Sequence, residues 1–248
     1  MIGCDCPVCL SNNPKDHRLR ASVLIELGQQ VLVIDCGPDF RQQMLRANVK
    51  HLDALLLTHA HNDHIIGLDD VRPFNFRQKK DMLVYATEAV EKALLQRFDY
   101  IFASNPYPGA PRVTVIPIDQ TPFEISGTPV IPIEVQHGKL SVLGFRFGNL
   151  CYITDMKTIS PEEKEKLKGI EILIINALHH KPHSSHLNLE EALAFIEEIQ
   201  PLQAFLTHVS HSMGLVDEVN AQLPEGVALA YDGQVVRAKL EPSFILPR

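Results

Sequence analysis

Residues 55–68, LLLTHAHNDHIIGL, place His59, His61, Asp63 and His64 within six positions, directly after an apolar run. Imidazole nitrogens and carboxylate oxygens that converge on a point suit zinc, iron or manganese. In an extended segment residues i and i+2 face the same side, so His59 and His61 can share one metal. Asp63 and His64 come after the chain has turned and can serve a second point beside the first. The segment H-x-H-x-D-H therefore reads as two half-sites. A merely polar, histidine-rich loop is a far weaker account of four ligands at this spacing.

Two metals need more ligands, and three apolar runs end in one. His137 follows VIPIEVQ, Asp155 follows CYIT and His208 follows AFLT. Asp35 ends VLVID in the same way. It reads either as a carboxylate that orients a metal ligand or as a turn residue at a strand end.

The elements that must hold these residues are legible from pattern. Residues 19–27 and 31–35 read as strands of a hairpin, 41–47 as a short helix and 52–58 as a strand buried on both faces. A helix is expected from about Gly67, a strand at 83–85 and a helix at 87–99 capped by Thr87. A Pro-rich loop, 103–112, precedes strands at 113–118, 130–135, 140–147 and 150–154. A helix near 161–167 leads to the apolar strand EILIIN, 171–176. Residues 188–199 form the clearest helix, with Asn188 as cap, Glu191 completing a capping box and Pro201 beyond its end. Strand 204–207, helix 215–223 and strands 227–230 and 234–239 complete the series. Hairpins mix with strand–helix alternation and neither half looks self-contained.

Composition narrows the function. The 248 residues are 45% hydrophobic, enough for a sizeable core, with a net charge of -7. A nucleic-acid-binding surface is usually basic, so a long polyanion is not the expected partner. No secretory signal, transit peptide or membrane-spanning run is visible, which points to the cytoplasm. Thiols stay reduced there, so Cys4, Cys6 and Cys9 suggest metal rather than disulfide; a disordered tail is the alternative. Cys36 and Cys151 read as packed thiols.

THAHNDH followed by His137, Asp155 and His208 in that order resembles the metallo-β-lactamase superfamily. The resemblance covers nearly the whole chain. It implies an α+β fold, a four-layer αβ/βα sandwich of two mixed sheets between helices, as one domain over 1–248. It assigns His59, His61 and His137 to one metal, Asp63, His64 and His208 to the other, and Asp155 to both. Three features narrow it further: C-x-C-x-x-C at Cys4, Cys6 and Cys9; THVSH, which leaves His211 to close a Cys3His structural zinc site; and HSSHLN, with His186 ahead of the capped helix. All three resemble the phosphoribosyl cyclic phosphate phosphodiesterase (PhnP) branch. HGKLSVLGF and LPEGVALAYDG fit as well. One departure is at the start: the branch opens with a strand and a Gly-rich loop ahead of its cysteines, which are met here almost at once.

That branch implies hydrolysis of a small cyclic phosphate, of phosphoribosyl 1,2-cyclic phosphate or 2′,3′-cyclic nucleotide type. It implies two catalytic divalent metals (zinc or manganese), one structural zinc at 4–9 and hydroxide held between the catalytic pair as nucleophile. Asp63 and His186 belong to the catalytic set, with His186 as general acid or, on the plainer reading, part of a polar loop. The expected partner is a small phosphorylated substrate, not a long nucleic acid or a membrane, and a homodimer is open to it. A lactonase, thioesterase or nuclease of the same fold, or a metal-binding module without turnover, are the competing functions.

Overall fold

The computed structural model describes residues 1–238. The chain divides into two compact units, one over Arg20–Asp119 and one formed by Met1–Leu19 with the chain from Gln120 onward.

The unit over Arg20–Asp119 is built on five strands: β1 (Val23–Leu27), β2 (Gln30–Ile34), β3 (Ala54–Leu56), β4 (Met82–Ala86) and β5 (Val113–Pro117). They lie in the order β1-β2-β3-β4-β5. β1 and β2 form the expected hairpin, turning through Gly28 at a φ of +63°, a conformation that costs glycine nothing. β2 to β5 run parallel, so β2 and β3 end at one edge. β3 is fully buried, as its unbroken apolar run requires. The helices are α1 (Phe40–Arg46), α2 (Asn62–Ile65), α3 (Arg72–Gln78) and α4 (Glu88–Arg97), the last capped by Thr87. The helix expected from Gly67 begins instead as a 3₁₀ turn, Leu68–Val71, and becomes α3 at Arg72–Pro73, where proline suits a first turn. The core packs Val33, Leu55 and Leu57 against Phe40, Leu68 and Leu94.

The other unit holds β6 (Phe123–Ile125), β7 (Thr128–His137), β8 (Leu140–Phe147), β9 (Leu150–Ile153), β10 (Thr158–Ile159), β11 (Ile172–Asn176), β12 (Gln203–Thr207) and β13 (Val227–Leu229). Its sheet runs β10-β7-β8-β9-β11-β12-β13, with β6 paired to β7. β7, β8 and β9 are successively antiparallel, whereas β9, β11 and β12 are parallel. β7, β9, β11 and β12 therefore point the same way and finish at one edge. The helices are α5 (Pro161–Glu165), α6 (Leu189–Ile199) and α7 (Val216–Asn220). The full Asn188–Glu191 capping box opens α6. Phe195 and Ile196 of α6 sit in a core with Ile175, Leu206, Val216 and Leu229. The strand expected at 234–239 does not form: residues 234–238 are irregular, and 239 lies outside the described residues.

Candidate metal sites

In the unit over Arg20–Asp119, Asp35 is the fixed point. It follows β2 with a φ of +63° and is fully buried. Its Oδ1 accepts from the Thr58 backbone N–H at 2.9 Å, and Oδ2 from the Thr58 hydroxyl at 2.8 Å. His64 Nδ1 donates to Oδ2 at 2.7 Å. That donation puts the His64 lone pair on Nε2, the tautomer a metal needs. Asp35 is thus the carboxylate that orients a ligand candidate, the first of its two readings.

Thr58 links this anchor to the motif, with its hydroxyl 3.0 Å from His59 Nδ1. His59 Nε2 lies 3.0 Å from His61 Nδ1, so the two rings turn nitrogens toward each other, as i and i+2 neighbours should. The chain then enters α2, which carries Asp63 and His64. His64 Nε2 and Asp63 Oδ2 are 3.8 Å apart. The sequence pattern did not reveal this helix, because four residues are too few for a periodic signal. Two glycines let it sit where it does. A Cβ on Gly37 would come within 2.1 Å of the Asp63 carbonyl oxygen, and one on Gly67 within 2.1 Å of the Gly37 carbonyl oxygen. Cys36 N–H donates to the His64 carbonyl at 2.7 Å, and Gly67 N–H to the Cys36 carbonyl at 2.8 Å.

In the other unit, ends of the co-directional strands gather a second set. His137 closes β7 and donates from Nδ1 to the Ser185 carbonyl at 2.7 Å. Asp155 follows β9 with a φ of +57°, and His208 follows β12 with a φ of +53°. Such left-handed backbone at non-glycine residues is uncommon and collects at functional sites. His208 Nε2 lies 3.4 Å from Asp155 Oδ1, and Thr154 donates its hydroxyl proton to Oδ2 at 2.6 Å. His186 lies between: its ring stacks on His208 at 5.0 Å between centroids and meets His137 at 4.4 Å. Its Nδ1 is 3.6 Å from Asp155 Oδ1. Burial first, and then the imidazoles of His208, His137 and His183, push its pKa down to about 4, against the upward pull of Asp155. His137, Asp155 and His186 each offer a ligand atom within 4.8 Å of the others. His186 is therefore placed where a metal ligand could stand as well as a proton donor.

The third set is Cys4, Cys6, Cys9 and His211, whose ligand atoms also lie within 4.8 Å of one another. Cys4 Sγ and Cys6 Sγ are each 3.4 Å from His211 Nδ1. A tetrahedral zinc at ~2.3 Å from sulfur and ~2.0 Å from nitrogen would hold S and N ~3.5 Å apart, so this donor set fits the ion. The His211 imidazole, foremost, pushes the Cys6 thiol down to about 6, toward the thiolate a metal binds. None of the five cysteines forms a disulfide. Cys36 and Cys151 are fully buried thiols whose pKa burial drives up. Arg146 is buried and gives its guanidinium to the carbonyls of Gly148, Lys166 and Lys168.

With the geometry in view, the sequence pattern described as the β-lactamase superfamily domain matches residues 30–209. The chain belongs to the metallo-β-lactamase superfamily. Its α+β fold of two mixed sheets is that of the superfamily. The crystal structure of a new diphosphatase from the PhnP family is 39% identical, with a TM-score of 0.90 over 96% of this chain and 92% of that one. An octanoyltransferase of Porphyromonas gingivalis is 41% identical over 94% of this chain. The chain spans only 47% of that relative's length. The short form of human tRNase Z shares the fold at 17% identity and a TM-score of 0.67, covering 90% of this chain and 94% of that one. The superfamily's divalent-metal chemistry agrees with the histidine–aspartate sets found here, and the chain is a hydrolase-fold protein near PhnP. No helix among the described residues is long and apolar enough to cross a membrane.

Proposed function

We propose that this chain is a metal-dependent phosphohydrolase acting on a small cyclic phosphodiester, of phosphoribosyl 1,2-cyclic phosphate or 2′,3′-cyclic nucleotide type. The observation that carries the reading is the gathering of Cys4, Cys6 and Cys9 around His211. Carbonyl hydrolysis on this fold has no need of such a site, whereas the phosphodiesterase branch resembled by the sequence has it. On this reading His59, His61 and His137 hold one catalytic metal, Asp63, His64 and His208 hold the other, and Asp155 serves both. The ions are zinc or manganese, since nitrogen and oxygen donors accept either. A structural zinc sits at Cys4, Cys6, Cys9 and His211. The whole chain is read as one working domain, in the cytoplasm, with no long nucleic acid or membrane as partner.

Bound divalent metals supply Lewis acidity toward a phosphoryl oxygen and a water of lowered pKa. The chain's own residues do the rest. Asp35 and the Ser185 carbonyl fix the tautomers of His64 and His137. The Thr154 hydroxyl holds Asp155. His186 presents an imidazole to the departing sugar oxygen, a poor leaving group that needs a proton. Burial and the neighbouring imidazoles hold its pKa down, to about 4. The negative charge of an arriving phosphate favours its protonated form, which ties the acid to the presence of substrate.

A second reading is favoured by one finding: the structure with the TM-score of 0.90 is that of a diphosphatase. The test is therefore a panel of ribose cyclic phosphates, 2′,3′-cyclic nucleotides and diphosphates, run with manganese and separately with zinc. A β-lactam, a lactone, an octanoyl thioester and a small RNA serve as controls. Turnover confined to cyclic phosphates supports the proposal. Turnover confined to diphosphates replaces the substrate and keeps the metals. Turnover of a carbonyl substrate alone removes the phosphohydrolase assignment.

A further inference from the structure

The loop between β11 and α6 carries four histidines, at 179, 180, 183 and 186. The proposed function uses only His186. His183 has a place of its own. Its Nδ1 accepts the backbone N–H of Ser185 at 3.3 Å, closing a tight turn. The carbonyl of that same Ser185 accepts the proton of His137 Nδ1 at 2.7 Å. The His183 ring lies against His186, at 5.0 Å between centroids and 48° between planes. His186 thus has two imidazole neighbours at the same distance, His183 and His208, each at 5.0 Å between centroids. His179 also meets the His183 ring, edge-on at 5.9 Å. The β7–β8 turn also closes on this loop, since a Cβ on Gly138 would lie 3.5 Å from Ser185 Cβ.

We propose that His183 is a positioning residue with two separable jobs. Through the Ser185 turn it places the carbonyl that fixes the tautomer and direction of His137. Through its ring it fixes the face of His186 that meets the departing oxygen. The inference rests on the proposed function for the second job but not for the first. A histidine in a polar loop with no such role would have its ring in solvent and its nitrogens on water.

Two substitutions take the jobs apart. His183→Phe keeps an aromatic ring against His186 and removes the acceptor for Ser185 N–H. His183→Asn keeps an acceptor, in the manner of an Asx turn, and removes the ring. The holoprotein and both variants are compared in two assays. The first is retention of the catalytic metals against a chelator series. The second is the ratio of kcat on a sugar-leaving phosphodiester to kcat on its p-nitrophenyl counterpart. His183→Phe should hold the catalytic metals about tenfold less tightly, the lower end of what the loss of a ligand's hydrogen-bond partner costs. His183→Asn should retain them and lose about tenfold in the ratio, because the p-nitrophenyl anion leaves without an acid. Wild-type metal retention in His183→Phe together with a wild-type ratio in His183→Asn would overturn the proposal. A wild-type protein that turns over no phosphate ester defeats the proposed function instead, and metal retention alone then decides the role of His183.

Discussion

The two units each contribute a cluster of histidine and aspartate, and they build it in opposite ways. In the unit over Arg20–Asp119 the cluster is a single stretch, His59 to His64, hung on one buried carboxylate. In the other unit His137, Asp155, His186 and His208 are collected from four separate places along the chain. The first arrangement is rigid because its parts are local: a bond from Asp35 fixes Thr58, and another fixes His64. The second is held by the shared direction of four strands and by a loop. A local cluster fails at one anchor, whereas a collected cluster fails piece by piece.

The largest effect should come from Asp35→Ala. It strands the Thr58 N–H and the His64 Nδ1–H in a dry interior, at about 1–3 kcal/mol for each buried group left unpaired. We expect loss of catalytic metal and a lowered urea midpoint; an unchanged midpoint would break the idea of a single anchor. Next in size is His186→Ala, in the collected cluster. It should cost on the order of 10²–10⁴-fold on a sugar leaving group and much less on a p-nitrophenyl ester, with the fold intact. Equal losses on both substrates would remove the acid role.

Gly37→Ala sharpens the comparison. Its Cβ would press on the Asp63 carbonyl, so α2 must shift, and catalytic metal affinity should fall about 10–100-fold. Gly28→Ala is the control, because nothing lies within 4 Å of its Cβ and only the backbone conformation is strained. Its cost is about 1–2 kcal/mol of stability with no loss of metal. Cys6→Ser should remove one equivalent of zinc by elemental analysis and leave the catalytic pair in place. The smallest effect, about 1 kcal/mol in thermal unfolding, belongs to Asn188→Ala, which opens the capping box of α6.

The contrast between local and collected also decides what could be read in advance. The strand at EILIIN and the Thr87 and Asn188 caps each declare themselves within a few residues, and each stands where its pattern put it. So does the hairpin, although β1 starts at Val23, after the apolar Leu19 that suggested an earlier onset. β10 escaped notice because two residues, Thr158 and Ile159, pair only with the end of β7. The strand expected at 234–239 fails where Val235 is 79% exposed: an apolar residue left in solvent gives the segment no face to bury. His183 looked like any loop histidine, because its meaning lies in the Ser185 carbonyl and His137, which only the folded chain brings together.

The cysteine cluster has a consequence for synthesis. Cys4 and Cys6 meet a histidine 207 and 205 residues further along the chain. At roughly 5–20 residues per second, a ribosome needs about ten to forty seconds to supply it. Throughout that interval the three thiols travel on the nascent chain without their fourth partner. A growing polypeptide of this protein is thus open to oxidants, electrophiles and stray copper at these cysteines, and an oxidative pulse should harm newly made copies more than finished ones.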